Sequence, residues 1–193
     1  MLVGFIRSFY AGYSLGASKS ELEKYAAMFG HYLPKQWNIK GGSYNDMLFA
    51  LSTSIIFDIT RHDVKPITDL LISEKYKDFV LDSMSNYLIS DFEIRTDELK
   101  FKKSIKPLAD IIRLSCSDKV EAVNRLKYYL DKEWLNKHKD GIICNTDHLL
   151  DEVKFKSYVG YWCIESAALV IMLGLDDSVL KDCRHYPYDL VHG

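Results

Sequence analysis

Apolar residues recur at intervals of three and four along most of the chain, which is the spacing of amphipathic helices. Ser18-Lys19-Ser20-Glu21 is a capping box, and Leu22, Tyr25, Ala26, Phe29 and Leu33 follow on one helical face until Pro34 closes the segment. Gly41-Gly42 then breaks the chain and Ser43 offers an N-cap. Met47, Leu48, Leu51, Ile55 and Ile59 predict a second helix from about Tyr44 to Thr60. Asp63 is placed to cap a short helix with Pro66 in its first turn, and Val80, Met84, Tyr87 and Leu88 mark another after Ser73. These last two read equally as separate helices or as one broken helix.

Between Ser90 and Ser104 the sequence turns charged and loses its period, so it reads as a connection or an exposed helical edge. A division into residues 1–100 and 101–193 is expected there. Ser104 and Pro107 open a short apolar helix through Leu114. Ser117 or Asp118 caps the next, striped by Val120, Val123, Leu126, Leu130 and Trp134. Residues 136–156 are irregular. From Ser157 the run YVGYWCIESAALVIML is apolar almost all round and predicts a buried helix ended by Gly174 as a C′ residue. Asp176 or Asp177 caps a last short helix, and Tyr186-Pro187 begins a tail. Strand signals at 92–94 and 141–144 are too short to build a sheet. The expected fold is all-α, a compact helical bundle, either single or in two sub-bundles.

Composition narrows the function classes. The 193 residues carry 48% hydrophobic and 27% charged residues, the balance of a globular chain. With 25 Lys plus Arg against 27 Asp plus Glu, the net charge is -2, and direct nucleic-acid binding through phosphates is not expected. The longest uninterrupted apolar run, Ala167 to Leu175, is far shorter than the roughly 20 residues of a spanning helix, and Met1 to Tyr13 does not read as a signal peptide. Four cysteines without a CxxC pair predict reduced thiols and a cytoplasmic chain.

Candidate chemistry is sparse. His62-Asp63 is the dipeptide of metal-dependent phosphohydrolases, but the further ligands such a site needs do not follow in order, and Asp63 reads better as a helix cap. His138, Cys144 and His148, with Cys183 and His185, are too loosely spaced for a structural zinc site. No phosphate loop, nucleophile elbow or zincin motif occurs. No catalytic, metal or cofactor residue is therefore assigned, and no cofactor is expected. Glu165 stands among Trp162, Cys163, Ile164, Ala167 and Ala168, so its carboxylate is expected to be buried against a Tyr hydroxyl, a Trp N–H or a basic residue. Trp134 and Trp162 read as core.

A longer pattern runs through this region. Tyr158-x-Gly160-Tyr161-Trp162-x-x-Glu165-x-Ala167-Ala168-Leu169-Val170, then Leu173-Gly174-Leu175-Asp176-Asp177-Ser178, then Tyr186-Pro187-x-Asp189-Leu190-Val191, resembles the C-terminal domain of the PoNi family, the immunity proteins of polymorphic nuclease (PoNe) toxins. Tyr10-Ala11-x-Tyr13-Ser14-x-Gly16, Glu21-Leu22 and Tyr44-x-x-Met47-Leu48-x-x-Leu51-Ser52 are similar to the opening helices of the family's N-terminal domain. Two departures stand out. The chain looks shortened before Tyr10, and Ile142-Ile143-Cys144 occupies a loop that has aromatics in the family.

The resemblance implies a non-enzymatic bacterial cytoplasmic protein that binds and silences a cognate DNase toxin, one delivered by a secretion system such as type VI, with the protein a monomer or homodimer. The rival readings are a helical scaffold or regulatory module, and a small metal-dependent hydrolase. Residues 135–193 hold nine acids and six Lys plus Arg, against 18 and 19 in residues 1–134, so acid is skewed toward the C-terminal part. Partner contacts are expected on the irregular segment, at Asp140, Asp147, Asp151 and Glu152, where carboxylates would meet the basic groove of a nuclease.

Overall fold

The computed structural model describes residues 2–137 and 160–193. It is built from helices, α1 (Leu2–Ser14), α2 (Lys19–Gln36), α3 (Tyr44–Ile56), α4 (Arg61–Ser73), α5 (Phe79–Leu88), α6 (Lys102–Ser115), α7 (Lys119–Tyr128), α8 (Trp134–Lys137), α9 (Ile164–Leu173) and α10 (Tyr188–His192). A π-helical turn, Tyr129–Glu133, joins α7 to α8, and a 3₁₀ turn, Ser178–Leu180, lies between α9 and α10. The described residues contain no strand, and the fold is all-α.

The centre is α3 packed against α9. Every residue of α3 from Met47 to Ile56 is buried, including Thr53 and Ser54. Their hydroxyls donate to the carbonyls of Phe49 and Ala50 at 2.9 and 2.8 Å, so the polar side chains are satisfied by their own helix. In α9 the run Ile164 to Val170 is buried on all sides, and α2, α5 and α4 close around the pair. A single apolar cluster extends from Phe9 to Leu190 and takes residues from both sides of residue 100.

The local rules act where the sequence places them, with shifts that have physical causes. Ser18 and Glu21 form the capping box, but α2 runs two residues past Pro34, since a proline in the last turn removes only one N–H. Tyr25 is exposed, so the buried stripe of α2 is Leu22, Ala26, Phe29 and Leu33. The predicted extension of α3 to Thr60 is corrected, because Phe57 ends the helix and Asp58 turns the chain at φ +49°. Asp63 is not the N-cap of α4. Thr60 is, and Asp63 stands three residues on, accepting a hydrogen bond from the Thr60 hydroxyl at 2.9 Å. Helices α4 and α5 are separate, and α5 is capped by Asp78. The start of the C-terminal helix also moves, from Ser157 to Ile164, since residues 160–163 are not helical and Gly160 has φ +85°.

The charged stretch after Ser90 is fastened and not loose. Asp82, fully buried, accepts from the Arg95 backbone N–H at 2.8 Å and pairs with its guanidinium, which also donates to the carbonyls of Leu71 and Tyr76. Asp78 accepts from the N–H groups of Val80 and Leu81, the Tyr44 hydroxyl and the Lys100 N–H. Two buried carboxylates thus fix the path from α5 to α6, each with several donors, as burial of a charge demands.

Candidate functional site

The residues of the C-terminal pattern gather around α9 in two clusters, one at its N-terminal end and one beyond its C-terminal end. Glu165 lies in the first turn of α9, where the helix N-terminus favours a carboxylate. It is 3% exposed, and Trp134 donates its indole N–H to Oε1 at 2.9 Å, with the Tyr129 hydroxyl at 3.5 Å. Burial pushes the Glu165 carboxyl above its usual range in spite of these donors. It also pushes the neighbouring Cys163 thiol and Tyr129 phenol well up, with the Glu165 charge adding to both. His185 lies against Trp134 with ring centres 4.8 Å apart and donates from Nδ1 to the Tyr161 carbonyl at 3.0 Å. Desolvation, and then the nearby Arg184, lower its pKa, so it is neutral at pH 7.

Asp177 anchors the second half of the pattern. Asp177 is buried; Tyr186 donates its hydroxyl to Oδ2 at 2.5 Å, and His192 Nε2 sits 2.9 Å from both oxygens. Of the two expected caps, Asp177 takes the N-cap position of the 3₁₀ turn without a side-chain cap bond, and exposed Asp176 accepts from the Ser178 N–H at 3.0 Å. Tyr186-Pro187, expected to begin a tail, is packed into the fold. Both residues are buried, and α10 folds back so that Lys19 reaches the Gly193 carbonyl at 3.2 Å. Gly174 ends α9 in the left-handed region at φ +59°, and Lys119 donates to its carbonyl. Ala168 is fully buried. Tyr161 and Trp162 are half-buried at the join to α1.

These groups hold one another. The most buried acids accept from donors inside the protein, and the Cys163 thiol is both inaccessible and pushed toward its protonated form, the opposite of an activated nucleophile. Among the described residues no group of three or more His, Cys, Asp or Glu side chains could hold a metal ion. His62 and Asp63 touch only each other in this respect, at 3.1 Å, and are exposed. Asp140, Asp147, Asp151, Glu152 and Tyr158 lie outside the described residues, as do His138, Cys144 and His148.

A feature that the periodicity does not reveal is a cleft of about 560 Å³ between α2, the turn after α3 and α4. Its floor includes Ala26, Gly30, Pro34 and Ile67, and Glu23, Asp58 and Asp63 stand along it. The turn at Asp58 redirects the chain from α3 into α4, and both helices pack against α2. Nothing in the local sequence signals that turn.

A family model described as PoNe immunity proteins (PoNi), C-terminal, matches residues 76–190. The chain belongs to this family of nuclease immunity proteins. The matched span begins within the Asp78 and Asp82 network and ends in α10, so it takes in both the Glu165 and the Asp177 clusters. It concerns the C-terminal domain, and the likeness of residues 10–52 to the family's N-terminal domain stays a resemblance. No curated protein and no solved structure matches. No helix among the described residues is long and apolar enough to cross a membrane.

Proposed function

We propose that the chain is a bacterial cytoplasmic inhibitor that neutralises one DNase toxin by forming a tight, stoichiometric complex and performs no catalysis. The observation that carries this reading is the family match over residues 76–190. The interior fits the role, because a scaffold whose buried acids are engaged by fixed donors presents a preorganised surface and loses little on binding. One free nuclease molecule is damaging, so an affinity of nanomolar or better, about -12 kcal/mol, is needed. An interface of roughly 800 Å² per partner with a few desolvated anchors would provide it. Asp140, Asp147, Asp151 and Glu152 are proposed as partner contacts, and a secretion system such as type VI as the route by which the toxin travels.

Titration of a candidate cognate PoNe-type nuclease, followed by plasmid cleavage, tests the reading. Cleavage should fall to zero at one inhibitor per nuclease. Complete inactivation at far lower ratios would mean that the chain turns over and is an enzyme. Binding without loss of cleavage would make it a scaffold.

A further inference from the structure

The cleft between α2 and α4 combines an apolar floor with carboxylates that have no ion-pair partner among the described residues. Ala26, Gly30, Pro34 and Ile67 leave the floor smooth and low, and Gly30 lies so near α4 that an added Cβ would sit 3.5 Å from Ile67 Cδ1. Pro34 and Pro66 both line the cleft inside their helices. Each lacks the N–H that would have bonded the carbonyl one turn earlier, that of Gly30 and of His62, two residues that also line it. Two backbone carbonyls at the cleft therefore lose their usual helical donors.

Its charge has the same sense. Glu23 and Asp58 have no ion-pair partner among the described residues. Asp63 takes hydrogen bonds from Thr60 and shares one with His62. The cation present, Lys35, has its amine 2.6 Å from His31 Nε2. Asp58 holds its carboxylate on a backbone at φ +49°, a conformation that glycine would adopt more readily.

We propose that this cleft receives a lysine- or arginine-bearing segment of the nuclease, laying the aliphatic stem of the side chain on the Ala, Gly and Pro floor and its charged head between Glu23 and Asp58. The proposal rests on the immunity reading. The charge complementarity is general to nucleases, whose DNA-binding faces carry Lys and Arg to neutralise phosphates. Long cationic side chains bury their methylenes along apolar surface while keeping the head group solvated or paired. The cleft is formed by residues 23–67, ahead of the matched span, so it adds an N-terminal contact surface to a protein whose family likeness is C-terminal.

Calorimetric titration of the same nuclease, at low and at moderate salt, with the parent chain, a Glu23→Lys/Asp58→Lys double variant, Asp58→Gly and Ala27→Trp, tests it. The double variant should bind at least ~100-fold more weakly, with a smaller salt dependence, since two close charge contacts are reversed. Asp58→Gly should weaken binding ~10-fold or more while its melting temperature stays level or rises, because the strained backbone is relieved. Ala27→Trp keeps every carboxylate and should weaken binding by filling the space. Variants that melt like the parent and bind like it would overturn the cleft while leaving the immunity reading intact. A parent chain that does not bind the nuclease at all would overturn both.

Discussion

Trp162 donates its indole N–H to the Ser14 hydroxyl at 2.8 Å, across 148 positions of sequence, and so ties the start of the C-terminal pattern to the end of α1. Tyr13 meets the same indole edge to face, with ring centres 4.8 Å apart. Gly160 makes this contact possible. An added Cβ there would lie 2.5 Å from Trp162 Nε1 and closer still to Ser14 Oγ, on a backbone at φ +85°. Gly160→Ala should therefore cost about 2–4 kcal/mol through overpacking and left-handed strain together. Ser14→Ala, which removes one half-buried acceptor, should cost about 1 kcal/mol. Urea unfolding of the two variants checks the order, and a larger loss for Ser14→Ala would contradict it.

Glu165 should matter to folding through its charge as well as its shape. Glu165→Ala strips the Trp134 N–H of an acceptor and should lower stability by about 1–3 kcal/mol, whereas Glu165→Gln keeps an acceptor and should cost less. The pH dependence has a definite sign. The folded carboxyl titrates above its ordinary 4.5, so the folded state binds this proton more tightly than the unfolded chain does. Its contribution is fully present below 4.5 and is lost as pH rises through the raised value. The stability of the parent relative to Glu165→Gln should accordingly fall as pH is raised from 4 toward neutrality, which denaturant titrations at several pH values would record.

Arg95 is the side chain whose loss should hurt most in the segment between α5 and α6. Asp82 is 0% exposed, and truncation of Arg95 to Ala would leave it charged and without its guanidinium. The expected cost is about 3–5 kcal/mol. A double Arg95→Met/Asp82→Leu variant, which removes both charges, should recover a large share of it. If the single variant melts like the parent, the pair is not a fastening.

Native thiol chemistry should separate the cysteines. Cys116 is exposed, whereas Cys163 is fully buried and its thiol is pushed well above the usual range by burial and by Glu165. A disulfide reagent should label Cys116 quickly and Cys163 only after unfolding, as peptide mapping would show. Prompt labelling of Cys163 in the folded chain would mean that the α9 end opens.

The sequence is most legible where neighbours three and four apart settle the matter. Leu22, Ala26, Phe29 and Leu33 are read as one face because they are one, and Ser18, Ser43 and Asp118 cap helices through bonds to N–H groups only two or three residues away. Periodicity misleads at Ile59 and Val120. Ile59 continues the α3 stripe on paper, yet the chain has already turned at Asp58, and it packs with Val64, Ile89 and Phe92 in a second small cluster. Val120 stands 72% exposed beside the true stripe of Ala122, Val123 and Leu126. Of the C-terminal pattern, burial of Glu165 was readable from its apolar neighbours. Its pairing with Trp134, like that of Asp82 with Arg95 or Asp177 with Tyr186, depends on how helices distant in sequence come together. The α2 and α4 cleft is invisible for the same reason.

The π turn at Tyr129–Glu133 has the character of an accommodated insertion. The Trp134 N–H reaches back five residues to the Tyr129 carbonyl, so one residue more than a regular helix would use occupies that turn. In an uninterrupted α-helix, side chains five apart diverge by about 140°, and Tyr129 and Trp134 could not both converge on Glu165. The extra residue restores their common phase. Straightening the turn into regular α-helix with every residue kept would swing the Trp134 indole about 100° away from Glu165. Losing one residue from 130–133 would instead leave Tyr129 and Trp134 four apart and about 40° out of phase, so this stretch should accept a one-residue shortening more readily than a further insertion.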